Sequence, residues 1–358
     1  MNASTLKIFI IGDRFMQPQY FIDALHAARL DCGRPGTLEL CWPDEPMLQS
    51  GVDDENAAQT PDLRGLREYQ GTPQDIIDAV GDSPILINHL APLSRSMLAQ
   101  LPALRLIAVA RGGPVNIDMA AARELGIRVV NAPGRNASAV AEFTIAMILA
   151  QTRQLSAAHT ALVAQDRWRG DLYRADQCGD ELCAMTVGLV GYGHIGSKVT
   201  KLLRPFGCRV LVYDPYVTLD AADRSGAAEQ VATLDALLEG SDVLSLHARV
   251  TPETRGLINA AALARMRRGA YLINTARGPL VDYPALYSAL ASGHLRGAAL
   301  DTFALEPCAS DDPLLRLPNV TLAPHIAGAS RQTVRHTAAM MAEEVRRYVA
   351  GLAPLNPC

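Results

Sequence analysis

A chain of 358 residues is longer than one hydrophobic core usually serves, so two domains are expected. With 49% hydrophobic and 20% charged residues the balance is that of an ordinary globular protein. A formal net charge of −4 without any Lys/Arg cluster argues against nucleic acid as a main partner, and no apolar run reaches membrane-spanning length.

Residues 7–11 are too short an apolar run for a secretory leader and are followed at once by Gly12, Asp13 and Arg14. The seven cysteines, Cys32, Cys41, Cys178, Cys183, Cys208, Cys308 and Cys358, are odd in number and show no C-x-x-C spacing. That is the usage of reduced thiols in a cytoplasm. Cys178 and Cys183 lie closest together but have no clustered His or Cys partner, so no metal site is expected.

In chain order, strand-like and helix-like segments alternate. The spacing predicts a strand over 6–11, a helix over 19–30 and a strand over 38–42. A long polar excursion follows over 43–71, with acidic Asp53, Asp54 and Glu55. Then come a helix (73–80), strand (85–88), helix (94–101), strand (104–110), helix (117–125) and strand (127–131). Repeated units of this kind imply a parallel sheet covered on both faces. Residues 131–136 break the pattern as a linker, and 137–155 read as one long apolar helix. The polar stretch 166–185 resists assignment.

Residues 185–215 carry the strongest signal. A β-branched run (186–190) leads into Gly191, Gly193 and Gly196, then a helix through Leu203, a second strand (209–213) and Asp214. Gly191 permits a tight turn, Gly193 close approach of a pyrophosphate to the backbone, and Gly196 close packing of helix on strand. The amides opening the helix favour anions. Asp214 can accept from both ribose hydroxyls and would repel a ribose phosphate, so NAD is favoured over NADP. After it, strands are expected at 225–231, 243–246, 270–274, 298–303 and 320–323, with helices at 234–239, 260–266 and 283–292. An amphipathic helix, 330–350, ends the series, with Val334, Ala338, Met341, Val345 and Tyr348 on one stripe.

Three further stretches fall at strand ends: Asn274-Thr-Ala-Arg-Gly278, Asp301-Thr-Phe-Ala-Leu-Glu-Pro307 and Pro324-His-Ile-Ala-Gly328. Arg277 offers a planar fork for a carboxylate. His325 suits proton transfer near neutral pH, and an adjacent Glu306 would orient it and favour its charged form.

Together with the glycine fingerprint, Asn116-Ile-Asp118, Gly134-Arg-Asn136 and Val140-Ala-Glu142, these stretches resemble the D-isomer-specific 2-hydroxyacid dehydrogenase family, from about Leu104 to the end. The resemblance implies an α/β protein of two Rossmann-like doubly wound domains, a flavodoxin-like substrate domain and an NAD-binding Rossmann domain, with a deep cleft. The substrate domain would take residues 1–133 and 329–358, and the NAD-binding domain 134–328. The implied activity is hydride transfer between NAD(H) and a D-2-hydroxy acid or its 2-oxo counterpart. Arg277 would bind the carboxylate and polarise the C2 carbonyl, His325 would carry the proton, and Glu306 would pair with it. Cofactor contacts map to His194, Ile195, Asp214, Thr275, Ala276, Asp301 and Gly328, no metal is implied, and a homodimer is expected.

The chain also departs from the family pattern. Arg111 stands where glycine is common; it would contact an anionic or polyhydroxylated substrate tail or form a salt bridge across the domain interface. Gly112 and Gly113 can still present amides to an anion. His89, ending its strand, reads either as a substrate contact or as a hydrogen-bonded structural residue. In the His247-Ala-Arg-Val stretch, Arg249 replaces a usual proline and would stack on adenine or stay solvated. Trp168, Tyr173 and Arg174 read as core or interface packing. The rival function is an NAD-sensing corepressor-like binding protein of the same fold.

Overall fold

The computed structural model of the protein describes residues 6–40, 61–225 and 228–358. Cys41, Trp42, Asp53, Asp54 and Glu55 lie outside the described residues. The chain divides into two compact units, Met1–Arg135 with Ser330–Cys358, and Asn136–Ala329.

The first unit is built on β1 (Ile8–Asp13), β2 (Gly36–Leu40), β3 (Ile85–Asn88), β4 (Leu106–Val109) and β5 (Arg128–Val130), all parallel, in the order β2-β1-β3-β4-β5. Every residue of β3 and β4 is buried, which is why these strands read as unbroken apolar runs rather than as alternating ones. On one face Phe21 and Leu25 of the helix Pro18–Ala27 meet Val334, Ala338, Met341 and Val345 of the helix Arg331–Val349, so the predicted stripe is core. Met341 and Val345 are fully enclosed, and each contributes roughly 1.5–3 kcal/mol by leaving water. Ser330 caps this helix by accepting from the Thr333 amide at 3.0 Å.

Residues 355–358 then run antiparallel to β5. The Asn131 amide donates to the Asn356 carbonyl at 3.1 Å and the Cys358 amide to that of Val129 at 3.1 Å. The buried Glu344 carboxylate secures the turn, accepting from the amides of Leu355 and Asn356 and from the Asn356 side chain.

The second unit holds β6 (Thr186–Val190), β7 (Arg209–Tyr213), β8 (Ala228–Gln230), β9 (Val243–Leu246), β10 (Tyr271–Asn274), β11 (Gly297–Leu300) and β12 (Val320–Leu322). All pair in parallel in the order β12-β11-β10-β9-β6-β7-β8. This is the doubly wound α/β architecture expected from the sequence.

Two departures are local. The long apolar helix stops at Thr152, and a second helix, Leu155–Ala164, follows after Gln154 takes a left-handed conformation at φ 55°. The first helix, Ala137–Thr152, packs within the unit through Ala141, Met147 and Ile148, whereas the second leaves Leu155, Leu162 and Val163 exposed. Apolar surplus thus sits on the second helix rather than on the first. The stretch left unassigned holds only short turns, Gly170–Tyr173 and Leu182–Ala184, and a short helix, Ala221–Ser225, precedes β8.

Candidate functional site

In the second unit the carboxyl ends of β6, β7, β9, β10, β11 and β12 lie along one border of one sheet. Gly191, Asp214, His247, Arg277, Asp301 and His325 all follow those ends. The winding of the chain reverses between β6 and β9, which is where open parallel sheets accept ligands.

The three glycines differ in what confines them. Gly191 has φ 99°, and a Cβ there would come within 2.9 Å of the His247 carbonyl carbon and the Ala248 amide. At Gly196 a Cβ would lie 2.2 Å from the Gly191 carbonyl oxygen, so the helix His194–Leu203 can close on the strand only without a side chain. Gly193, which precedes that helix, has nothing among the described residues within 4 Å of such a Cβ. His194 is exposed and Ile195 half-buried beside it. Open space faces the free amides of a helix start, the arrangement that suits a diphosphate. The Asp214 carboxylate is fixed by the amides of Tyr192 (2.7 Å), Tyr216 (2.8 Å) and Val217 (3.0 Å), and keeps lone pairs for ribose hydroxyls. Buried Tyr192 donates its hydroxyl to the buried Asp223 carboxylate, tying the glycine turn to the helix Ala221–Ser225. That tether has no local sequence signature.

His247 shares Nε2 with the Ser245 hydroxyl at 3.0 Å, while its Nδ1 is buried without a partner among the described residues. Burial pushes its pKa down to about 3, so the ring is neutral. Arg249 is exposed. Thr275 is buried against Thr144, hydroxyl to hydroxyl at 2.8 Å, and the Ala276 amide donates to Asn274 at 3.0 Å. Gly328 sits against the Asn136 side chain. Free amides, a ribose-ready carboxylate and an orphaned imidazole nitrogen fit a dinucleotide.

Arg277 is exposed, its guanidinium donating to the Ala276 carbonyl at 2.8 Å. His325 holds φ 55°, left-handed for a residue other than glycine. Its amide donates to the Asp301 carbonyl at 2.8 Å, and the buried Asp301 carboxylate accepts from the next two amides, Ile326 (2.8 Å) and Ala327 (2.9 Å). Burial raises the Asp301 pKa, against those amides. Nδ1 of His325 meets Glu306 Oε2 at 2.6 Å, and Glu306 Oε1 is anchored by the Phe303 amide at 2.8 Å. The pair leaves Nε2 of His325 for chemistry.

The first unit has its own group at strand ends. His89 follows β3 and bonds through Nδ1 to Asp13 of β1. Arg111, just after β4, donates to the Glu68 carbonyl at 3.0 Å and pairs with the Glu68 carboxylate. This salt bridge is internal to the first unit. Gly112 and Gly113 have nothing within 4 Å of an added Cβ among the described residues. Asp13 and Glu68, partners at a distance along the chain, were missed by sequence reasoning. Among the described residues there is no group of His, Cys, Asp or Glu that could hold a metal, and no helix long and apolar enough to cross a membrane.

The family model for the NAD binding domain of D-isomer specific 2-hydroxyacid dehydrogenases matches residues 145–327. The chain is 39% identical over 288 residues to D-3-phosphoglycerate dehydrogenase of Mycobacterium bovis, covering 80% of this chain and 53% of that protein. It is 38% identical over 282 residues to glyoxylate reductase of Korarchaeum cryptofilum, covering 78% and 84%. The chain therefore spans about half the length of the phosphoglycerate dehydrogenase it matches. A solved protein from Thermus thermophilus superposes with a TM-score of 0.75 at 31% identity over 98% of this chain and 99% of that one. D-2-Hydroxyisocaproate dehydrogenase does so with a TM-score of 0.76 at 26% identity, over 98% and 99%. The matched stretch holds the glycine turn, Asp214, Arg277 and the Glu306–His325 pair, and with it the chain belongs to the D-isomer specific 2-hydroxyacid dehydrogenase family.

Proposed function

We propose that the protein is an NAD-dependent oxidoreductase that interconverts a D-2-hydroxy acid and its 2-oxo acid. The observation that carries this reading is the Glu306–His325 pair, 2.6 Å apart, at the same sheet border as the glycine turn and Asp214. NAD bound by Gly191, Gly193, His194, Ile195, Gly196, Asp214, His247, Arg249, Thr275, Ala276, Asp301 and Gly328 would supply or take up the hydride at C2 of the substrate. Arg277 grips the carboxylate and polarises the C2 carbonyl. His325 gives a proton from Nε2 to the carbonyl oxygen during reduction and recovers it during oxidation. Glu306 fixes the ring through Nδ1 and stabilises the imidazolium. In the first unit Gly112 and Gly113 offer amides to the substrate, with His89 and Arg111 assigned to its tail. Residues 1–133 and 329–358 are assigned to substrate, and 134–328 to the cofactor.

The test is NADH consumption across a panel of 2-oxo acids. Turnover of at least one member is expected; tight NADH binding with no turnover of any would return the corepressor-like alternative, which the names of the relatives do not favour. We also assign the protein to the cytoplasm, on its free thiols, and to a homodimer. Exposed Leu155, Val163, Trp168 and Tyr173 support the dimer, because apolar surface of that kind is normally covered. Light scattering is expected to give twice the chain mass, and a monomer mass would end that assignment.

A further inference from the structure

Glu306 lies on the loop that leaves β11, and it can orient His325 only if that loop is itself held still. The carboxylate reaches back along its own loop, where the Phe303 amide donates to Oε1 at 2.8 Å. Whatever fixes the peptide group between Thr302 and Phe303 therefore fixes the carboxylate that meets the imidazole.

Two contacts do so, both from the stretch that follows β10. Gly278 lies against the Phe303 main chain, where an added Cβ would come within 1.8 Å of the carbonyl oxygen and 2.1 Å of the carbonyl carbon. Tyr283 opens the helix Tyr283–Ala291, whose start is capped by Asp282 accepting from the Ala285 amide at 3.0 Å. Its ring is buried in the same core as Leu286, Leu300 and Phe303. Its hydroxyl donates to the Thr302 carbonyl at 2.5 Å. The Thr302 hydroxyl has no partner among the described residues, so that side chain does not hold the peptide in place.

The Thr302 carbonyl and the Phe303 amide belong to one planar peptide group, so turning one turns the other. Tyr283 grips that group at its oxygen while Glu306 is held by its N–H. A carbonyl polarised by a donor makes its own N–H the better donor, and the two bonds strengthen each other. Burial raises the Tyr283 pKa, the charges of Glu306 and Asp312 add to that, and a bond from the Asn274 side chain opposes it. The phenol thus keeps the proton that it donates. We infer that Tyr283 is a positioning residue for the proton transfer: through the Thr302–Phe303 peptide group its hydroxyl sets the Glu306 carboxylate against His325. The inference rests on the dehydrogenase reading for its effect on rate, but not for the chain of bonds itself.

Tyr283→Phe removes the hydroxyl and keeps the ring, and a urea midpoint checks that the variant is folded. NADH oxidation is followed with the best substrate from a panel of 2-oxo acids that includes glyoxylate, pyruvate and hydroxypyruvate. The kcat is expected to fall about tenfold, within the ~10²-fold that a misplacement of roughly 1 Å can cost. The KM is expected to stay within about twofold, because the bonds that hold Arg277 are untouched. In a Glu306→Ala background the same substitution is expected to change kcat by less than about twofold, since two residues acting through one carboxylate are not additive. The proton shared by His325 and Glu306 is expected to give a far-downfield 1H resonance, identified by its loss in His325→Asn. In Tyr283→Phe it should broaden or vanish, a readout that needs no turnover. An unchanged kcat, an unchanged resonance, or an equal loss of kcat with and without Glu306 overturns the inference. If the resonance is lost and the unsubstituted protein turns over no acid of the panel, the dehydrogenase reading fails and the positioning of Glu306 stands.

Discussion

His325→Asn is expected to lower kcat by roughly 10²–10⁴-fold, the usual share of a positioned proton donor, while leaving the Kd for NADH within about twofold of its original value. Asparagine is the right probe because it tolerates the left-handed backbone that His325 adopts at φ 55°. It also leaves the main-chain bonds to Asp301 in place. What it removes is the ring whose Nδ1 is bound to Glu306 and whose Nε2 is left to hand over a proton. Single-turnover rates and NADH fluorescence titration measure the two quantities separately. Retention of more than a tenth of the turnover would exclude His325 as the acid.

Stability is expected to fall steeply from pH 7.5 to pH 5. His89 and His247 are both held neutral by burial, with pKa values of about 4 and about 3. In the unfolded chain a histidine takes up its proton near pH 6.5. Below that pH the unfolded state binds up to two protons that the folded state refuses, so acid favours unfolding. Each histidine contributes a slope of about 1.4 kcal/mol per pH unit, and the two together about 4 kcal/mol between pH 7.5 and 5. That is a large part of the ~5–15 kcal/mol that holds a typical protein together. The lowered pKa of Asp13 acts in the same direction only further down, below its unfolded value of 3.8. Urea unfolding at pH 7.5, 6 and 5 reads the effect. His247→Asn should remove about half of the slope, and a flat profile would show that neither ring is buried in its neutral form.

The strands were legible because burial on both faces writes itself as an unbroken apolar run. Residues 85–88 and 243–246 were read to the residue, and they are buried throughout. The break at Gln154 was not legible: no glycine or proline marks it, and apolar sequence continues on both sides. At the site, the glycines announce themselves through spacing. The pairings do not. Asp13 is 76 residues from His89 and Glu68 is 43 from Arg111, and nothing local to any of them names its partner. Glu306 and His325, 19 residues apart, could be linked from their chemistry only on condition that they were adjacent, and the resemblance to a family supplied that condition.

Residues 355–358 have a consequence beyond their own bonds. An outermost strand presents a row of unanswered amides and carbonyls, a template on which another chain can lengthen the sheet. By pairing with β5, and by being held there through Glu344, this short segment answers groups on that border that a strand from another chain would otherwise bond.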